Sequence, residues 1–164
     1  MSEFNPKAIL LTPLGEEELP DLDNFDSGDW ETNYFLMNQA YDEQRRGLNT
    51  TTLIYYNGIL ASFLSMCCDA IPLSTEGNEI TSNVPAIKIR YAIDNKFKDL
   101  EMDSFIIDYA KSVAYQLWCS HVGVRFLTID VPASQEQFYI DKGFVRNVSD
   151  ATGDIISMRT DIFY

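Results

Sequence analysis

Phe97-Lys98-Asp99-Leu100-Glu101-Met102-Asp103-Ser104-Phe105 is the stretch on which the reading of this chain turns. Ahead of it, Ala86 to Asp94 reads as a strand. From Met102 to Trp118, the residues Met102, Phe105, Ile106, Tyr109, Ala110, Val113 and Leu117 recur at helical spacing and make one apolar face of a long amphipathic helix. Strand, tight turn and helix N-terminus are the setting in which bare backbone N–H groups can cradle a phosphate, provided glycines let the ligand come close. Here three carboxylates, Asp99, Glu101 and Asp103, occupy the turn. The same acids also suit a helix that satisfies itself, with Asp99 as cap, Glu101 and Asp103 in the first turn, and Lys96 and Lys98 as their partners.

Outward from this stretch the chain alternates strands and helices. Lys7 to Leu14 reads as a short strand and Gly15 to Asn24 as an acidic loop containing Pro20. A helix is expected from Trp30 to Arg46. Tyr34, Met37 and Tyr41 fall on one face with Ala40 alongside, acids stand at its start, arginines at its end, and Gly47 lies just beyond. Thr50 to Tyr56 and Ile59 to Cys68 flank Asn57-Gly58, a strong hairpin signal. Asp69 to Asn83 reads as a polar loop. Val124 to Val131 is almost continuously apolar and is expected to be a central strand. Ser134 is expected to cap a short helix carrying Phe138 and ending near Gly143-Phe144, and Ile155 to Phe163 is the last strand. The order predicts an α/β (α+β) fold, a mixed sheet with helices on its faces.

With 164 residues, 46% of them hydrophobic, the chain suits a single domain spanning 1–164. Its apolar runs are too short to span a bilayer, and Met1 to Lys7 lacks a signal pattern, so the cytoplasm is the expected compartment and no membrane is involved. Cys67, Cys68 and Cys119 read as buried small hydrophobes rather than a disulfide framework, and no Cys/His cluster has metal-ligand spacing. The net charge of −13 makes nucleic acid an unsuitable partner and a basic protein surface a suitable one.

Three separate segments resemble the GCN5-related N-acetyltransferases (GNAT), in the branch that includes toxin–antitoxin acetyltransferases. Phe25-Asp26-Ser27-Gly28 followed by Asn33-Tyr34-Phe35-Leu36 resembles that branch's opening F-D-C-G … L-N-x-F-L. Lys88 to Asp94 resembles its R-L-A-V-D strand, and Gln137 to Phe144 its F-Y-E-K-x-G-F helix end, with Arg125 to Asp130 fitting the strand before that helix. The resemblance runs from about Phe25 to Tyr164 and implies the GNAT fold, a central mixed, mostly antiparallel sheet flanked by helices.

It also implies an acetyl-CoA site formed by Ile93, Lys98, Asp99, Leu100, Glu101, Met102, Asp103 and Ser104, and Tyr139 as the general acid that protonates the leaving thiolate. The family's loop reads Gln/Arg-x-x-Gly-x-Gly/Ala. In this chain Lys98 takes the basic or amide position, while acids stand where small residues belong. One like-charge contact at about 4 Å costs about 4 kcal/mol at an intermediate effective dielectric, against about 8 kcal/mol for the whole of a micromolar affinity. At Val131-Pro132-Ala133-Ser134 the connection is shorter than the family's and lacks its pantetheine-contacting Asn. Asp94 and Asp130, at strand ends, read as turn or cap residues, and His121 as a helix C-terminal residue favouring the dipole.

Two functions are therefore weighed. The first is a catalytically impaired or inactive GNAT-fold protein, without a cofactor, that binds a protein partner with a basic surface or a second copy of itself. The second is an active N-acetyltransferase moving acetyl from acetyl-CoA to an amine.

Overall fold

The computed structural model describes residues 3–74, 81–147 and 153–164. Seven strands run in the order β1-β2-β3-β4-β5-β7-β6: β1 Ile9–Pro13, β2 Thr50–Tyr56, β3 Ile59–Ser74, β4 Thr81–Ile93, β5 Phe126–Pro132, β6 Val145–Arg146 and β7 Ile155–Asp161. The sheet is mixed, mostly antiparallel and flanked by helices, which is the expected class. The chain packs as two compact units, Met1–Cys67 with Arg90–Ile106, and Cys68–Ile89 with Ile107–Tyr164.

In the first unit β1 and β2 pair antiparallel, as do β2 and β3. The hairpin forms as expected, with Asn57 at φ 49° and Gly58 at φ 78°, both in the left-handed region a two-residue hairpin requires. Asp29 caps the helix by accepting from Thr32 N at 2.9 Å. The helix runs through α1 Trp30–Tyr34, a π turn over Phe35–Gln39, and α2 Ala40–Arg45. The π turn corrects the expected apolar face. Ala40 N donates to Phe35 O, an i→i+5 bond that takes in one extra residue and rotates the face. Phe35, Leu36 and Ala40 turn inward, whereas Tyr34 and Met37 are exposed and Tyr41 is half-buried.

These residues enclose a core with Leu14, Leu22, Phe25, Leu53, Tyr55, Leu60 and Phe63. Phe63, fully buried, meets Phe25 edge-on with centroids 5.7 Å apart and Phe35 at 6.0 Å. The expected acidic loop at Gly15 to Asn24 is instead a 3-10 helix over Glu16–Asn24. Glu18 accepts from Gly15 N at 3.0 Å, and buried Leu22 anchors the segment in the core. Tyr55 reaches the same segment, its hydroxyl donating to Asp21 at 2.6 Å.

In the second unit β4 and β5 pair in parallel over Ala86–Lys88 and Phe126–Thr128, and β5 pairs antiparallel with β7 through seven residues. Leu127, Thr128, Ile129 and Val131 are buried, as a strand flanked on both edges requires. The long helix is α3 Asp103–Ser120. Ile107 and Ala114 are buried besides the expected stripe, and Tyr109, Val113 and Leu117 are half-buried.

Several expectations are corrected here. The segment expected as a loop, Asp69 to Asn83, belongs largely to strands, because β3 runs to Ser74 and β4 begins at Thr81; its middle, 75–80, lies outside the described residues. Asp69, far from a loop tip, accepts from buried Thr128 Oγ1 at 2.6 Å. Ser134 sits inside a 3-10 turn, Ala133–Gln135, that has no side-chain cap and leads into α4 Glu136–Asp141. The two-residue β6 is too short to show a period in sequence. Cys68 and Cys119 are exposed and Cys67 half-buried, and none of the three is in a disulfide, so they are not core hydrophobes. Among the described residues no helix is long and apolar enough to cross a membrane.

Phe63 is the packing centre of the first unit. Phe63→Ala removes it without a replacement and should cost about 3–5 kcal/mol, read as a lowered urea midpoint with an unchanged slope.

Candidate functional site

Asp94, the residue after β4, organises the decisive stretch. Its carboxylate is almost wholly buried. One oxygen accepts from Asp26 N at 2.8 Å and the other from Lys96 N at 2.9 Å. Asn95 N donates to Asp26 O at 2.8 Å, so the two segments are doubly tied. The expected role of Asp94 as a cap is therefore observed: it opens a 3-10 turn over Asn95–Leu100.

The partner segment, Asp26-Ser27-Gly28, is folded by its own side chains. Asp26 Oδ1 accepts from Gly28 N at 2.8 Å and from Asn33 Nδ2 at 2.9 Å. Asn33 Oδ1 accepts from both Ser27 N and Ser27 Oγ at 2.8 Å. Gly28 has φ 82°, and a β-carbon there would stand 3.1 Å from Asn95 Oδ1. Conformation and space therefore both favour glycine at this position. The bonds from Asn33 and Gly28 hold the Asp26 carboxyl below its ordinary pKa, with the Lys98 charge adding to them. The Thr32 side chain and backbone do the same for Asp29.

Lys98 Nζ donates to Ser27 O at 2.7 Å. This corrects the expectation that Lys98 partners the acids of its own stretch, since the Ser27 carbonyl lies within its reach. The helix start is also corrected. Asp99 lies at the exposed end of the 3-10 turn and Glu101 is outside the helix, at φ 52° and ψ 44°. Buried Leu100 and Met102 stand on either side of Glu101 and leave α3 to begin at Asp103. Asp103 alone takes the expected first-turn place, and its carboxylate accepts from Tyr91 OH at 2.8 Å. Ile93 is buried at the end of β4 and Ser104 is exposed. Phe97 packs edge-on to Tyr56, with centroids 6.0 Å apart.

The structure thus gathers Ile93 to Ser104 and the Asp26–Asn33 segment within the first unit. Tyr139 belongs to the second. It is buried on α4 between Phe138 at 5.1 Å and Phe144 at 5.6 Å, both edge-to-face. Pro132 ends β5, and Ala133 N donates to Asp154 O at 2.7 Å, which fixes the short connection beside the approach to β7. Asp130 pairs with Lys88 at 3.2 Å on the surface. His121, exposed past the end of α3, lines a depression of about 360 Å³ with Val113, Gln116, Leu117 and Ser120. Sequence reasoning assigned no role to Tyr91 or Asn33. An Asp-x-Gly turn signature could have indicated Asn33's neighbourhood, but nothing local marks Tyr91.

Two outcomes follow from this geometry. Glu101 holds a backbone conformation that costs a non-glycine residue about 1–2 kcal/mol, so Glu101→Gly should raise stability by about 0.5–1 kcal/mol in chemical denaturation. Asp29→Ala should cost about 0.5–2 kcal/mol at neutral pH through loss of the cap. Because the folded-state pKa of Asp29 is lowered, its contribution is present above the ordinary carboxylate value of 3.8 and fades as pH falls through the folded value. The stabilities of Asp29→Ala and the native chain should therefore converge under acid.

No family model and no curated protein matches the chain by sequence. Solved structures do match it in fold. A bacterial toxin superposes with a TM-score of 0.80 at 12% identity, over 94% of this chain and 91% of that one. AtaTR bound with acetyl-CoA gives 0.77 at 17% identity, over 94% and 95%. A tyrosine-to-phenylalanine mutant of KacT gives 0.77 at 15%, over 93% and 95%. A tyrosine-to-phenylalanine mutant of AtaT is also seen bound to the C-terminus of the antitoxin AtaR, and AtaT is seen complexed with acetyl-methionyl-tRNA. By strand order and by superposition along nearly its whole length, the chain has the GNAT fold, which it shares with these solved structures.

Proposed function

We propose that this protein is a GNAT-fold interaction module that does not use acetyl-CoA, and that it binds a protein with a basic surface. The observation that carries this reading is the state of the turn between β4 and α3. A pyrophosphate at that turn needs close backbone approach, free N–H groups and positive charge. Lys98, at the family's basic position, is committed to the Ser27 carbonyl. Glu101 keeps a left-handed backbone suited to glycine but adds an exposed carboxylate. Asp99 adds another, and Asp103 is held at the helix start by Tyr91. The residues present do not fit the cofactor's phosphates. Tyr139 then serves packing, between two phenylalanine rings.

A protein partner accords with AtaT being seen with its antitoxin's C-terminus, and the net charge of −13 favours a basic surface over a nucleic acid. Calorimetric titration with acetyl-CoA up to millimolar concentration should give no binding heat. The triple variant Asp99→Gly, Glu101→Gly, Asp103→Gly should bind more tightly than the native chain if the turn is the main obstacle. Micromolar binding by the native chain, with amine acetylation abolished in Tyr139→Phe, would establish an active N-acetyltransferase instead.

A further inference from the structure

The helix that supplies Phe35, Leu36 and Ala40 to the core presents a second apolar strip to solvent. Trp30 is 73% exposed, Tyr34 43% and Met37 40%, at positions i, i+4 and i+7. The Trp30 and Tyr34 rings stack with centroids 5.2 Å apart and an interplanar angle of 25°. The helix has already buried its core face, so folding does not require this strip. Tryptophan and tyrosine are enriched among the residues that carry most of the binding energy of protein interfaces.

The charges around the strip specify its occupant. Asp29 caps the helix immediately before Trp30, with its carboxyl held below the ordinary value, and Glu31 follows. Arg90 sits 4.1 Å over the Phe35 ring, within the field of Asp29, Glu31 and Glu43. The chain itself thus has a guanidinium resting on an aromatic face in this acidic setting, while the Trp30 ring is mostly exposed. A second copy of the chain would bring another net charge of −13, which opposes self-association here.

We propose that Trp30, Tyr34 and Met37, flanked by Asp29 and Glu31, form a docking strip for an arginine-bearing basic segment of a partner protein. A guanidinium stacks on the open face of Trp30, the carboxylates pair with it, and aliphatic side chains of the segment cover Tyr34 and Met37. The helix is fixed on its inner side by Phe35 and Leu36 and at its start by the Asp29 cap, so little backbone freedom is lost on binding. The proposal extends the interaction-module reading by naming its surface, but it does not require the cofactor turn to be inactive.

The test uses the full chain and a fluorescein-labelled nonapeptide of alternating arginine and leucine, followed by anisotropy. Matched peptides carrying lysine, or glutamate, in place of arginine serve as controls. Binding should fall in the order arginine, lysine, glutamate and weaken with salt. Trp30→Ala and Glu31→Lys should each weaken the arginine peptide about tenfold, while Trp30→Phe retains most of the affinity. Trp30 is exposed, so circular dichroism should be unchanged in all three variants. Equal affinity of native chain and Trp30→Ala would overturn the proposal, as would equal binding of all three peptides. A dimer in sedimentation that Trp30→Ala dissociates would overturn it in favour of self-association. Repeating the titration with millimolar acetyl-CoA separates the two readings. Cofactor binding with the peptide effect intact removes only the inactive-turn reading, and loss of the Trp30 effect removes only the docking strip.

Discussion

One buried carboxylate holds the turn together. Asp94 binds the backbone N–H groups of Asp26 and Lys96, and so joins segments 68 residues apart in sequence. A buried acceptor that satisfies two donors is costly to remove, because both N–H groups are then left without partners at about 1–3 kcal/mol each. Everything else at the turn depends on that junction. Asn95 reaches back to Asp26, Lys98 reaches to Ser27, and Gly28 lies close beneath the Asn95 side chain, where a β-carbon would be tight. The turn is therefore built from its own polar groups.

A turn built in this way leaves the rest of the GNAT fold undisturbed. The fold rests on β4, β5, the apolar face of α3 and the phenylalanine cluster around Phe63, none of which needs an anion at the start of α3. Chemistry on such a scaffold depends on a few side chains at one end, and changing their charge leaves the packing intact. The surrounding bonds are oriented toward carbonyl and carboxylate acceptors within the chain, with the lysine drawn in among them.

Much of this was legible in sequence where the signal was local and periodic. The Asn57-Gly58 hairpin, the apolar β5 and the long α3 all follow from two or three residue patterns. What was not legible depends on distant partners or on backbone irregularity. A π turn at Phe35–Gln39 rotates the first helix, so Tyr34, Met37 and Tyr41, which fall at helical spacing in the sequence, do not supply its buried face, and Tyr34 and Met37 are found in solvent. Asp69 looked like a loop acid until Thr128 supplied its donor, and Lys98 looked like a partner of its neighbours until Ser27 came within reach. At the candidate site, the residue types and their order were readable. The left-handed Glu101 was not, because propensity argues against a glutamate in that conformation, and it stands between Leu100 and Met102, which are buried only in the folded chain.

That imposed conformation bears on local motion. The sheet next to the turn is held by ladders of backbone bonds, and α3 by its buried stripe. The link between them contains the one described residue outside the hairpin that combines a side chain with a positive φ. Opening the link would relieve its strain while leaving the strands paired, so the free energy of that opening lies below that of the whole molecule. Native-state hydrogen exchange should therefore find the amides around Glu101 exchanging ahead of those of β5.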